Sequence, residues 1–265
     1  MFFIDADNGM GSDKGDVDDG FAIAALLSAK IPVAALASVW GNTTVDRAHP
    51  NNQALAKLFN YQDPCLRGAA SAKAGPTEAS RFLVENSAPK RVLALGPLSN
   101  VAQALRDGAS GIDEVVVVGS NYSSWGRWPP VWPYEFNLAK DKTATREVFA
   151  SRTPLTFVPL DVACLMRVGR EDLARLPGEK GEYFRRHCER WLQRKQKMGS
   201  STFAAWDYVA AYYAINPAAF QIKQTKALMH PNGWIQFGKG VRPVKVVLAY
   251  DRGALWAAFV RLFAG

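Results

Sequence analysis

Cysteine and histidine are both scarce: the chain has three of each in 265 residues. Cys65, Cys164 and Cys188 are odd in number and scattered. That excludes a disulfide framework and any thiolate metal centre of regular spacing, and it points to a reducing, cytoplasmic compartment. No apolar run approaches the ~18–20 residues that span a bilayer. The opening Met1-Phe2-Phe3-Ile4-Asp5 lacks the basic n-region and long apolar core of a signal peptide. Internal repeats, low-complexity tracts and linker-like boundaries are absent too, so residues 1–265 read as one domain.

What is present is an excess of positive charge, +8 with a sequence pI near 9.4. The basic residues interleave with acidic and apolar ones along helical segments, which suits a solvated surface better than a nucleic-acid footprint. Against that background, Asp5, Asp7, Asp13, Asp16, Asp18 and Asp19 crowd into one short stretch after the apolar Phe2-Phe3-Ile4. Carboxylates this close repel one another unless protons, bases or a cation compensate. Oxygen-rich sites suit hard divalent cations such as calcium or magnesium.

The order of elements alternates. Strands are expected at 2–5, 32–39, 91–95, 114–118, 155–158 and 244–248. Helices are expected at 18–30, 49–60, 77–86, 99–106, 141–150, 183–197 and 207–215. This alternation predicts an α/β fold, a three-layer, mostly parallel central sheet with helices on both faces. In such sheets ligands bind beyond the carboxyl ends of the strands. Asp5 and Asp7, Asn42, Leu95-Gly96-Pro97, Gly119-Ser120-Asn121 and Pro159-Leu160-Asp161 should therefore converge on one rim.

Five stretches, in order, resemble the nucleoside hydrolase family. They are Asp5-Ala6-Asp7-Asn8-Gly9 with Asp16-Val17-Asp18-Asp19-Gly20, Val39-Trp40-Gly41-Asn42-Thr43 with Asn51-Asn52, Ala94-Leu95-Gly96-Pro97-Leu98-Ser99-Asn100-Val101-Ala102, Glu135-Phe136-Asn137 with Asp141, and Trp206-Asp207. The resemblance implies a Rossmann-like core and calcium-dependent hydrolysis of the N-glycosidic bond of ribonucleosides. Asp7, Asp19, Asp207 and the carbonyl of Leu95 would hold Ca2+, and Asp7 would also deprotonate the attacking water. Asp18, Asn42, Glu135 and Asn137 would bind the ribose and Trp206 the base side. Asp5 is expected to support the site from behind, and Asp141 to cap the following helix. A homo-oligomer, dimer or tetramer, is common in the family.

The chain departs from the family pattern at four places. About six residues, around Met10 to Gly15, are inserted before Asp16, so the resemblance assigns no role to Asp13 or Asp16, and another register would bring Asp13 nearer the metal. Trp206 replaces a histidine proposed to protonate the leaving base, and none of His49, His187 and His230 is placed to substitute. Aromatic stacking by Trp125, Trp128, Trp132 and Tyr134 would then favour purines. The stretch from Asp161 to Trp206 is compressed. The helix around 183–197 is strongly basic (Arg185, Arg186, Arg190, Arg194, Lys195, Lys197), an exposed face or a phosphate contact. Two other classes compete: a haloacid-dehalogenase-type phosphohydrolase, which leaves Glu135-Phe136-Asn137 and Asp207 unexplained, and a non-catalytic nucleoside or ribose binder.

Overall fold

Consecutive side chains of the central strands enter two different cores, the signature of a sheet covered on both faces. In the strand Ile112–Val118, Val116 and Val118 join one apolar cluster while Val115 and Val117 join the other. Phe2–Ala6 divides likewise, with Ile4 on one side and Phe3 on the other. The structure is a computed structural model and describes residues 1–12, 15–88, 90–123 and 136–264.

In chain order the first half comprises β1 (Phe2–Ala6), α1 (Asp18–Ser28), β2 (Val33–Ser38), α2 (Val45–Leu58), β3 (Cys65–Arg67), α3 (Glu78–Glu85), β4 (Lys90–Ala94), α4 (Ser99–Arg106) and β5 (Ile112–Val118). The second half continues with α5 (Phe136–Lys140), α6 (Lys142–Ala150), β6 (Leu155–Val158), α7 (Leu160–Ala163), β7 (Arg167–Gly169), α8 (Arg170–Ala174) and α9 (Gly178–Lys197). It closes with β8 (Thr202–Ala204), α10 (Trp206–Ile215), β9 (Phe220–Met229), β10 (Ile235–Phe237), β11 (Arg242–Tyr250) and α11 (Arg252–Ala264).

The main sheet has nine strands in the order β10-β9-β11-β6-β5-β4-β1-β2-β3, and β7 pairs with β8 in a small separate ribbon. From β3 across to β11 all neighbours are parallel, while β9 runs antiparallel to β11 and to β10. The mostly parallel sheet with helices on both faces is therefore as expected. The chain leaves β1 for β2 on one side and later returns to place β4 on the other. The strand order reverses between those two strands, which is where parallel sheets open a crevice.

Several boundaries differ from the sequence expectation. The second helix starts at Val45 rather than His49, with Pro50 inside it. The basic helix starts at Gly178 rather than Tyr183. Strands β3, β7, β8, β9 and β10 and helices α5, α7, α8 and α11 lie outside the sequence expectation. Three-residue strands leave no periodic signal, and β9 is exposed over most of its length, so its apolar residues do not alternate cleanly.

Candidate active site

Asp7 follows directly on β1, on the floor of the crevice, and is buried. Its Oδ2 accepts the backbone N–H of Asn42 at 2.5 Å. Two glycines make that approach possible. A Cβ on Gly41 would lie 2.0 Å from Asp7 Oδ2, and one on Gly96 would lie 3.1 Å from the Asp7 side chain and 2.6 Å from Val39. The Trp40-Gly41-Asn42 and Leu95-Gly96-Pro97 turns thus close over Asp7 because they carry no side chain there. Beneath it, Asp5 Oδ1 accepts from Asn100 Nδ2 at 2.8 Å, while Asp5 Oδ2 is buried without a partner. Burial raises the Asp5 pKa to about 7, against the pull of the Asn100 bond.

The other carboxylates arrive on two helix N-termini. Asp18 and Asp19 open α1, and Asp207 lies in the first turn of α10. Both helices are apolar nearly all round and buried, which suits them to an interior position between sheet and outer helices. Alanines (Ala22, Ala24, Ala25 on α1; Ala210, Ala211, Ala214 on α10) keep both helices slim. The backbone N–H of Asp207 donates to Asp18 Oδ2 at 3.1 Å, across 189 residues of sequence. The positive ends of the two helix dipoles offset part of the negative charge.

The offset is incomplete. Both carboxylate oxygens of Asp19 are buried without a hydrogen-bond partner. Ligand-capable oxygens of Asp16, Asp18 and Asp19 lie within 4.8 Å of one another. Burial, and then the neighbouring aspartates, hold the carboxyls of Asp18, Asp19 and Asp207 well above the usual range. Asp7 is raised for the same reasons, although the Asn42 N–H opposes the shift. Buried acids that repel one another, with orphaned oxygens among them, are a donor set matched to a hard divalent cation.

The residues expected to meet substrate are placed as follows. The Asn42 amide sits on Asp16, its Nδ2 donating to Oδ1 at 2.6 Å and its Oδ1 accepting from the Asp16 N–H at 3.0 Å. Asn137 Nδ2 donates to the Leu95 carbonyl at 2.6 Å, so that carbonyl keeps one lone pair for another partner. Trp206 is half-buried and its Nε1 is buried with no partner. Glu135, Trp125, Trp128, Trp132, Tyr134 and Asp13 lie outside the described residues.

Asp16 is the residue that sequence reasoning left unassigned and the structure brings into the cluster. Its two-way bond to the Asn42 amide spans 26 residues of sequence and has no counterpart in the local pattern, and the inserted loop hides the register. The loop itself is tied down on its near side. Asn8 Oδ1 accepts from Met10 N, Asn8 Nδ2 donates to Asn52, and Asn51 holds the Asn8 carbonyl. The basic helix α9 also comes close. Lys195, half-buried over the Trp191 ring at 4.5 Å, has its charge opposed by Asp16 and Asp18, and burial lowers its pKa. Arg185 is spent on the carbonyls of Leu173 and Leu176. A cavity of about 1200 Å³ lies at the opposite end of the strands, among Leu27, Ile31, Phe59, Tyr61 and Ile215, with Asp63 as its one acidic lining residue.

Residues 2–257 match the family described as inosine-uridine preferring nucleoside hydrolase. The chain belongs to that family. Nucleoside hydrolase relatives with curated names are distant. Uridine nucleosidase 1 of Arabidopsis thaliana is 26% identical over 204 residues, covering 63% of this chain and only 60% of that protein. Probable uridine nucleosidase 1 of Oryza sativa subsp. japonica is 26% identical over 262 residues, covering 85% and 77%. Among solved structures, a plant nucleoside hydrolase, PpNRh1, superposes with a TM-score of 0.85 at 20% identity, covering 100% of this chain and 99% of that one. At that identity the likeness speaks for the fold.

Proposed function

We propose that this nucleoside hydrolase relative cleaves the N-glycosidic bond of ribonucleosides, releasing free base and ribose. The observation that carries the reading is the buried, uncompensated aspartate set at the strand-order reversal, with Asp19 orphaned on both oxygens. Asp7, Asp19, Asp207 and the Leu95 carbonyl are assigned to a divalent cation, calcium by preference, since carboxylates plus a neutral carbonyl leave room in its six to eight positions. Such a cation supplies Lewis acidity, lowering the pKa of water so that a weak carboxylate base suffices.

The chain's own groups do the rest. Asp7 takes the proton of the attacking water as its oxygen bonds to C1′. The C1′–N bond breaks through an oxocarbenium-like state, and its electron pair leaves with the base. Asp18 and Asn42 hold ribose hydroxyls from one side, Glu135 and Asn137 from the other; a sugar lacking a hydroxyl would leave these groups unpaired. Asn42 exchanges its bond to Asp16 for one to the sugar.

With Trp206 in the place of an acid, the base departs as its anion without a histidine proton and takes a proton from solvent water, while Asp7 returns its proton to solvent. We assign the base to a purine, stacked on aromatic residues of the 125–134 stretch and flanked by Trp206, where each stack contributes roughly 1–3 kcal/mol. The names of the plant relatives favour uridine instead. Free-ribose release from inosine, guanosine, adenosine, uridine and cytidine, with calcium and with a chelator, tests both points. Calcium-dependent release, faster on purines, is expected. Phosphate release from p-nitrophenyl phosphate, or nucleoside binding without turnover, would overturn the reading.

A further inference from the structure

Behind the sugar-facing residues runs a second set of contacts that the reaction does not use. The indole N–H of Trp40 donates to Ser99 Oγ at 2.9 Å, and the Ser99 hydroxyl donates to Asp141 Oδ2 at 2.7 Å. The other oxygen of Asp141 accepts the Ala144 N–H at 3.0 Å, capping α6. Asp141 and Ser99 are buried, and Trp40 is half-buried. Serine has a single proton to give. The carboxylate claims that proton, so the serine's lone pairs face the indole, and the whole relay has one direction.

Its three members stand at the roots of three separate segments of the site. Trp40 is two residues before Asn42, whose N–H holds Asp7. Ser99 opens α4, four residues after Leu95. Asp141 ends the turn that carries Asn137, which donates to the Leu95 carbonyl. A second contact ties the same elements. The Lys140 ammonium lies 5.3 Å from the Trp40 ring centroid and 4.8 Å from that of Phe136, joining α5 to the Trp40 turn.

We propose that Asp141 is a positioning residue for nucleoside binding: acting through Ser99 on Trp40, and through α5 on Asn137, it fixes the spacing between the two walls of the ribose cleft. The inference rests on the nucleosidase reading for its kinetic consequence, but the relay itself is tested without turnover. Capping alone predicts something different. In Asp141→Asn the side-chain oxygen can still cap Ala144, whereas the amide now faces Ser99 and leaves the serine proton without its acceptor.

The expected kinetic result is that Asp141→Asn and Ser99→Ala each raise KM for the ribonucleoside about tenfold, the scale of an unpaired buried group, with a smaller effect on kcat. Trp40→Phe, which keeps the ring and drops the N–H, should raise KM. Combined with Ser99→Ala it should add nothing further, and Ser99→Thr should restore the wild-type value. In parallel, spectra of 15N-tryptophan-labelled protein identify the Trp40 indole signal by its loss in Trp40→Phe. That signal should move upfield in Ser99→Ala and shift in Asp141→Asn. An unmoved indole signal in both variants, or a wild-type KM in Asp141→Asn with only a lower Tm, would overturn the proposal. A wild-type protein with no ribose release would instead sink the nucleosidase reading, leaving the indole shifts to decide the relay.

Discussion

Two of the buried acidic sites among the described residues are built in opposite ways. Near the start of β5, Glu114 is 7% exposed and fully compensated. Arg91 donates to its Oε2 at 2.7 Å, Thr156 to its Oε1 at 2.5 Å, and Lys245 lies 3.4 Å from Oε1. Burial alone would raise its pKa, but the Thr156 bond and the two cations outweigh it, and the carboxyl sits below its ordinary value. At the other end of the sheet, Asp7, Asp16, Asp18, Asp19 and Asp207 have backbone N–H groups, one amide and the partial charge of helix ends. Lys195 sets a full side-chain positive charge against Asp16 and Asp18, and the pKa values of the set still rise. A fold that compensates one buried glutamate so completely can evidently supply cations from its own chain. Where it withholds them, the proposed cation would supply the compensation.

The comparison can be broken by substitution. The largest effect is expected from Asp7→Asn, which should lower kcat about 10²–10⁴-fold, the range of a lost general base, while circular dichroism stays native. Next, a divalent cation at a hundredfold excess over its Kd should stabilise the protein by about 2.7 kcal/mol, a rise of roughly 5–10 °C in Tm that a chelator reverses. The two sites should then respond with opposite signs in chelator. Glu114→Gln should destabilise by about 1–3 kcal/mol in urea unfolding, since it strands Arg91 and Lys245. Asp19→Asn should stabilise by about 0.5–2 kcal/mol, since it removes one of several mutually repelling charges.

The smallest effect concerns pH. Because the folded pKa of Glu114 is depressed, its contribution is present above the ordinary glutamate value of 4.5 and is lost as pH falls through the lower, folded value. Tm measured against pH should therefore fall less steeply below about 4.5 in Glu114→Gln than in the wild type. Equal slopes would mean that the ion pairs around Glu114 do not hold in solution.

The inner strands were legible in the sequence, and for a physical reason. β1, β2, β4, β5 and β6 are buried on both faces, so Val115-Val116-Val117-Val118 and Phe2-Phe3-Ile4 read as continuous apolar runs. The edge was harder to read. The Lys223, Gln224 and Lys226 side chains of β9 face solvent, and the strand gains its place from pairing with β11 rather than from its own pattern. At the site, Asp7 could be placed on the rim because it follows a strand that the pattern reveals, whereas Asp18, Asp19 and Asp207, at the starts of two helices, were named from the family resemblance. Asp16 and Lys195 could not be assigned, because one follows an inserted loop and the other approaches from a helix whose charges looked uniformly solvated. The Asp141 cap was legible, but its reach through Ser99 to Trp40 was not, since nothing in a sequence says which buried hydroxyl lies between two elements.

Calorimetric titration of calcium into the metal-free protein, repeated at pH 7 in buffers of different ionisation enthalpy, tests the central claim most directly. Burial and mutual repulsion push these acids toward their protonated forms, so a cation that takes their charge should displace protons. The account predicts saturable binding whose heat varies with the buffer because protons are released, and its loss in Asp19→Asn. No saturable binding of calcium or magnesium, or binding that Asp19→Asn leaves untouched, would contradict it.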